Sequence, residues 1–423
     1  MALVVCKFGG SSVADAASIR RVARRVVYLQ QAGNQVVVVV SAMGDTTDEL
    51  LDLAAQVSPK EPPTPRELDI LLSSGERISM ALLAMAIGDL GYRAQAFTGP
   101  QAGLLTDNSY GDARITEVQP ERISQSLAGG NVAIVAGFQG FHPDSFDTTT
   151  LGRGGSDTTA VALAHALDAS VCEIYTDVDG VFTADPRVVP AARPIQSITY
   201  EEMLELAAHG AKILHLRAVE YARRHGVKLH VRSSFSTIPG TIVADQEGTE
   251  MEQSVITGLA TDQSRAKITA VGVPDRPGIA AEMFEAIAAA GINVDMVVQN
   301  VSVTGTGKTD ISFTINQGEV ARLQPVLAEL QRTMGFANVQ FNEAIGTISV
   351  VGAGVRSNPG VAARVFGALR DEGINIDMIS ASEVRISVVI DSADLQAAAQ
   401  AIHRAFELDR EGGEAIIYAG TGR

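Results

Sequence analysis

Residues 36–40 are five consecutive valines, preceded by Gln35. β-branched side chains favour extended backbone, and a run with no polar alternation has two buried faces. Such a strand belongs in a parallel sheet covered by helices on both sides. The first 233 residues supply the rest of that architecture. Residues 2–6 (ALVVC), 131–136 (NVAIVA), 171–175 (VCEIY) and 227–233 (VKLHVRS) read as further buried strands, with short strands at 92–97 and 103–106. Helical patterns cover 15–31, a stretch from Glu49, 67–91 and 200–209. The 67–91 pattern is apolar on nearly every side and predicts a buried helix. The β–α alternation predicts an α/β fold, a doubly wound and mostly parallel sheet. Ligands of such sheets bind beyond the carboxyl ends of the strands.

The chain has 423 residues, enough for two or three domains, and 46% of them are hydrophobic. Its net charge is −16. Nucleic acid and anionic membranes reward basic patches, so neither is expected as a partner. The only cysteines are Cys6 and Cys172, both in apolar strand patterns. Two such thiols exclude a disulfide framework and suit a cytoplasmic chain. The N-terminal apolar run is too short for a signal peptide, and the valine run too short to span a bilayer.

Several loops at strand ends carry chemistry. Residues 7–12 (KFGGSS) follow the first strand and precede a helix. This is neither a P-loop nor a dinucleotide fingerprint, since both spacings are missing. Lys7 beside Gly9 and Gly10 suits a phosphate better than a solvated charge. Ser41 and Thr47 flank the loop after the valine strand, as helix caps or as ligand contacts. Glu76 and Arg77 interrupt the apolar 67–91 pattern. A buried acid needs a partner: a salt bridge between helices or a ligand ammonium. Residues 137–140 (GFQG) could line a pocket or turn the chain.

Residues 151–160 (LGRGGSDTTA) join a threonine run to a helix. Gly152, Gly154 and Gly155 allow close backbone approach, and Ser156 and Asp157 open the helix where N–H groups favour an anion. Arg153 adds a planar fork for a carboxylate or phosphate. A capped glycine-rich loop is an equally good reading of this segment alone. In residues 176–187 (TDVDGVFTADPR), Asp177, Asp179 and Asp185 do not have calcium-loop spacing. A nucleotide-contacting loop fits better. Lys212 lies at or just before a helix. His209, His215, His225 and His230 lack metal-binding spacing and read as surface or core histidines.

The last third repeats itself. Residues from Arg276 (RPGIAAEMFEAIAAAGINVDMVVQ) match those from Asn358 (NPGVAARVFGALRDEGINIDMISA) at a constant offset of 82. Each copy reads as a βαββαβ unit. Asn293, Asp295, Asn375 and Asp377 start strands near Pro-Gly turns. They could hold the ends of a free amino acid or simply serve turn chemistry.

With KFGGSS, SAMGDTTDEL, SSGERIS, LGRGGSDTTA, TDVDGVFTADPR, GAKIL and the paired GINxDM repeats in this order, the chain resembles aspartate kinases over essentially its whole length. The single-function form with two ACT domains is the one it looks like. The resemblance implies a three-layer α-β-α amino acid kinase domain at 1–245 and ferredoxin-like ACT domains at 264–342 and at 250–263 plus 343–423. It implies transfer of the ATP γ-phosphoryl group to the β-carboxylate of L-aspartate, opening lysine, threonine and methionine synthesis. Lys7, Asp157 and Lys212 would be catalytic. ATP would meet Lys7, Phe8, Gly9, Gly10, Thr176, Asp177, Phe182, Thr183, Ala184, Asp185, Pro186, Arg187 and Lys212. Aspartate would meet Ser41, Thr47, Glu76, Arg153, Gly154, Gly155 and Ser156. Mg²⁺ would ride on the phosphates without a protein cage. Lysine, threonine or both would bind at Asp275, Pro277, Gly278, Ile279, Ala280, Asn293, Val294, Asp295 and Gln299, and at Val361, Asn375, Ile376, Ser382 and Glu383. ACT pairing implies a homo-oligomer, and Met251 stands where a separate regulatory subunit could start. The alternatives are a glutamate-type amino acid kinase and a non-catalytic amino acid sensor. Lys7, Asp157 and Lys212 together argue against the sensor.

Overall fold

A computed structural model describes residues 2–245, 255–299 and 307–409. Met251, residues 250–254 and residues 410–423 lie outside the described residues. The main sheet has eight strands in the order Ser197–Ile198, Thr241–Val243, Leu229–Ser233, Val171–Thr176, Leu3–Phe8, Gln35–Val40, Val132–Ala136, Ala94–Phe97. Every pairing is parallel except Leu229–Ser233 with Thr241–Val243.

The valine strand behaves as its pattern dictates. Val37 and Val39 enter one core, with helices Gly155–Ala166, Tyr200–Ala208 and Leu216–His225. Val36, Val38 and Val40 enter the other, with helices Ala16–Gln31 and Pro65–Asp89. All five are 0–1% exposed. Cys6 and Cys172 are buried free thiols in the neighbouring strands.

Two helices differ from their patterns. Pro65–Asp89 buries Leu83 and Ile87 but exposes Ile70, Ile78 and Met85, so the expectation of an all-round buried helix is corrected. It packs against one face of the main sheet, the side-sheet strand Thr148–Thr150 and helix Ala16–Gln31, and its outer apolar face has no layer over it among the described residues. This helix is long and apolar enough to cross a membrane by length and composition. The next correction is a start: the second helix begins at Thr46, not Glu49, because the Thr46 hydroxyl and N–H both bond to the Met43 carbonyl and close the first turn early.

A four-stranded side sheet, Ile115–Val118, Leu104–Thr106, Gln139–Phe141 and Thr148–Thr150, carries the chain into the glycine-rich loop. The threonine run is therefore a strand, and residues 139–140 pair with it.

The last third forms two antiparallel four-stranded sheets. One orders Val294–Gln299, Lys308–Asn316, Arg265–Pro274 and Asn338–Asn342, with helices Ile279–Ala289 and Val320–Met334. The other orders Gly258–Asp262, Ile345–Val351, Arg385–Asp391 and Met378–Ala381, with helices Gly360–Asp371 and Leu395–Ala405. Its edge strand, Gly258–Asp262, precedes the first unit in the chain yet pairs with the second. Glu202 accepts from Thr257 and from the Ala353 N–H, and Glu205 pairs with Arg385 at 2.9 Å. These contacts dock the second unit on helix Tyr200–Ala208.

Candidate active site

Side chains alternate along the first strand. Cys6 and Phe8 enter the core beside helix Ala16–Gln31, which turns Lys7 toward helix Gly155–Ala166. There its Nζ lies 2.7 Å from Asp157 Oδ1. Asp157 occupies the first turn of that helix, where the dipole stabilises its charge and favours this ion pair despite burial. Gly154 caps the helix with φ +71°, and a Cβ there would fall 2.0 Å from the His215 ring. Only glycine lets the Arg153 loop sit this close to His215. Gly10 is equally constrained: a Cβ would approach the Gly44 carbonyl to 2.8 Å, and Gly44 N–H donates to the Gly10 carbonyl at 3.1 Å.

A cavity of about 430 Å³ opens at this edge of the sheet. Lys7, Gly9, Arg153, Gly154, Asp157, Thr176, Lys212 and His215 line it. Two ammonium groups and a guanidinium from three distant parts of the chain thus share one wall. Burial lowers the His215 pKa, which keeps its ring neutral beside these cations. A second cavity shares Thr176 and Lys212 with the first and continues along Asp177, Phe182, Ala184, Asp185, Pro186 and Arg187. Arg187 and Asp185 are held together by a two-pronged ion pair at its rim.

Other expected residues stand elsewhere. The Phe8 ring is buried and stacks on Tyr175 at 4.6 Å, leaving only its backbone near the site. Thr183 is buried, and its hydroxyl meets His403 at 3.0 Å rather than the cavity. Ser156 lies against Gly137, where a Cβ would come within 2.7 Å of its hydroxyl. Ser41, Thr47 and Glu76 are not among the residues lining the first cavity; Glu76 reaches the residue after Ser41, and Thr47 lies in the first turn of the helix that follows. Ser41 N–H donates to the Phe8 carbonyl, which ties that segment to the Lys7 loop. Glu76 is 3% exposed. Its Oε1 accepts from the Ala42 N–H at 3.1 Å, while Oε2 has no partner among the described residues. Burial pushes its pKa up to about 7. Arg77 is exposed and does not neutralise it.

Sequence reasoning missed Asp69. It is fully buried and accepts from Gly111 N–H, Thr150 N–H and the Thr150 hydroxyl. Asp69 precedes Glu76 by two helical turns, so the spacing of the two acids was the available signal. His215 and residues 259–261, which line the cavities, carried no local signal.

In the repeats, Asp275, Pro277 and Gly278 form an exposed turn ahead of Ala280; Asn293 is exposed just before the following strand, on which Asp295 and Gln299 are exposed and Val294 is half-buried. Asp295 thus faces outward on its strand, and Asp377 is exposed just before strand Met378–Ala381, so neither enters the apolar layer. Ile279 and Val361 are each 2% exposed and belong to the cores of their units. Asn375 and Ser382 are exposed, Ile376 is half-buried, and Glu383 pairs with Arg356. Asp377 pairs with Lys267 of the other unit at 3.2 Å.

A model of the amino acid kinase family matches residues 2–233, and an ACT domain model matches residues 268–328 and 348–406. Fold and site together define an ATP-dependent kinase of the amino acid kinase class with appended ACT domains. Aspartokinase from Mycolicibacterium smegmatis is 58% identical over 424 residues, covering 100% of each chain. The chain belongs to the aspartokinase family. Among solved structures, E. coli aspartokinase III in complex with aspartate and ADP (R-state) is 28% identical, with a TM-score of 0.80 over 95% of this chain and 99% of that one. The same enzyme in complex with lysine and aspartate (T-state) is 28% identical, with a TM-score of 0.72 over 96% and 99%.

Proposed function

We propose that this chain transfers the γ-phosphoryl group of ATP to the β-carboxylate of L-aspartate, giving 4-phospho-L-aspartate and ADP, the first step toward lysine, threonine and methionine. The observation that carries this reading is the single cavity holding Lys7, Lys212 and Arg153. The nucleophile is a carboxylate with an ordinary pKa of about 4, ionised at neutral pH, so no general base is required. Its oxygen forms the new P–O bond as the bond to the ADP oxygen breaks. The obstacle is bringing an anion to a polyanion, and the protein's task is positioning and charge stabilisation.

Lys7 and Lys212 bear on the transferring group and its leaving oxygen, with Gly10 presenting its backbone N–H; the Gly9 N–H is given to the Tyr175 carbonyl at 3.4 Å, and Gly9 serves by letting the phosphate approach its backbone closely. Asp157 holds Lys7 in place. Arg153 grips an aspartate carboxylate, and Glu76, with one oxygen unpaired among the described residues, takes the ammonium. Ser41, Thr47, Gly154, Gly155 and Ser156 complete the acceptor side. Thr176, Asp177, Phe182, Ala184, Asp185, Pro186 and Arg187 hold the nucleotide. Mg²⁺ would add neutralisation of the phosphates, a role that asks for one or two carboxylates at most, such as the cavity acids Asp157 and Asp177.

The division into a kinase domain at 1–245 and ACT domains at 264–342 and 250–263 plus 343–423 is supported by the pairing of Gly258–Asp262 with Ile345–Val351. Lysine, threonine or both bind at the exposed turns of the repeats and favour a less active state, with the chains associating through those units. The complex of aspartokinase III with lysine supports an amino acid effector. Aspartate-dependent ATP consumption, measured against glutamate and N-acetylglutamate, tests the proposal. ATP turnover with glutamate alone would overturn it.

A further inference from the structure

We propose that the strand Gly258–Asp262, the edge of the second ACT-type sheet, is itself a wall of the nucleotide site, so that bound nucleotide and this regulatory strand hold each other in place. The proposal rests on reading the cavity along residues 176–187 as the nucleotide site. Leu259, Ala260 and Thr261 line that cavity together with Asp185 and Arg187.

The strand cannot yield independently of either neighbour. Its side chains alternate between two cores. Leu259 packs in the core of the second regulatory unit, with Ile348 and Val388. Ala260 packs in the kinase core, with Met203 and Leu206. One edge of the strand is paired in antiparallel register with Ile345–Val351, Ala260 opposite Ser349. On its other side, Leu259 N–H donates to the Thr183 carbonyl at 2.7 Å, inside the loop that lines the nucleotide cavity. Gly210, just past helix Tyr200–Ala208, has φ +119°, and a Cβ there would lie 2.2 Å from the Thr261 carbonyl oxygen. Phe182 and Ala184 come from the nucleotide loop yet belong to the same regulatory core as Leu259. A shift of the second sheet therefore moves the floor of the nucleotide cavity directly. Reciprocity follows: whatever nucleotide does to the strand, displacement of the strand does to nucleotide affinity.

Hydrogen–deuterium exchange on the full chain, with ADP as the probe, tests this. Slower exchange at 258–262 together with 176–187, and none at Lys308–Asn316, is the expected result. Thr261→Leu, a half-buried position, should raise the ADP Kd by about 5-fold or more while the aspartate KM stays put. Protection of 176–187 without 258–262 overturns the inference and leaves the nucleotide site standing. So does an ADP Kd that moves with Arg187→Ala and not with Thr261→Leu. Protection of neither segment overturns the nucleotide assignment itself, and the inference with it.

Discussion

Glu76→Gln separates two consequences of one buried charge. The carboxyl is 3% exposed, has one hydrogen-bond donor and is pushed from 4.5 to about 7 by burial. Between those values the native state holds a proton that the unfolded chain has released. Stability therefore falls as pH rises from about 4.5 to about 7 and levels off above. The gap corresponds to about 3 kcal/mol. Glutamine carries no charge and keeps an acceptor for the Ala42 N–H. At pH 8 the variant should be more stable than the parent by up to about 3 kcal/mol, and at pH 5 the two should nearly coincide. Substrate binding should respond the opposite way. A charged hydrogen bond to the aspartate ammonium contributes about 1.5–3 kcal/mol, so the aspartate KM should rise by about 10- to 150-fold. In the parent, the aspartate KM should climb as pH drops below about 7, because the proton must leave first; in the variant it should stay flat. Urea midpoints at pH 5 and 8, with initial rates against aspartate at saturating ATP, read both effects. A change confined to the ATP KM, or equal pH slopes for the two proteins, would refute the reasoning.

Lys7→Ala should remove most turnover, about 10²–10³-fold for one lost transition-state contact, in a coupled ADP-release assay. Near-normal turnover would remove Lys7 from the reaction. Asp69→Ala strands the buried N–H and hydroxyl of Thr150 and frees the part-buried Gly111 N–H, and should cost about 3–5 kcal/mol of stability while raising the aspartate KM through the loosened Arg153 loop. Asp69→Asn, which keeps part of the bonding, should recover most of the stability; an unchanged aspartate KM in both variants would confine Asp69 to folding. Activity assays with lysine and threonine, singly and together, should show inhibition by at least one; no response to either rejects the effector proposal.

Local chemistry determined much of this protein. Side-chain period and β-branching made the valine strand and its neighbours legible, because burial on both faces leaves no other pattern. Glycines at strand ends and the 82-residue repeat were equally plain in the letters. The identities of Lys7, Asp157 and Arg153 marked a place for anions, since those groups have few other uses beside glycine-rich turns. Tertiary structure decided what those residues meet. That Lys7 reaches Asp157, that Gly154 must clear His215, and that Thr183 turns away to His403 depend on segments 61 to 220 residues apart coming together. The exposed face of helix Pro65–Asp89 was invisible because an apolar stretch does not record how many layers cover it. The strand Gly258–Asp262 shows the limit most clearly: its five residues carry no motif, and only packing against two cores at once gives them a place beside the nucleotide cavity.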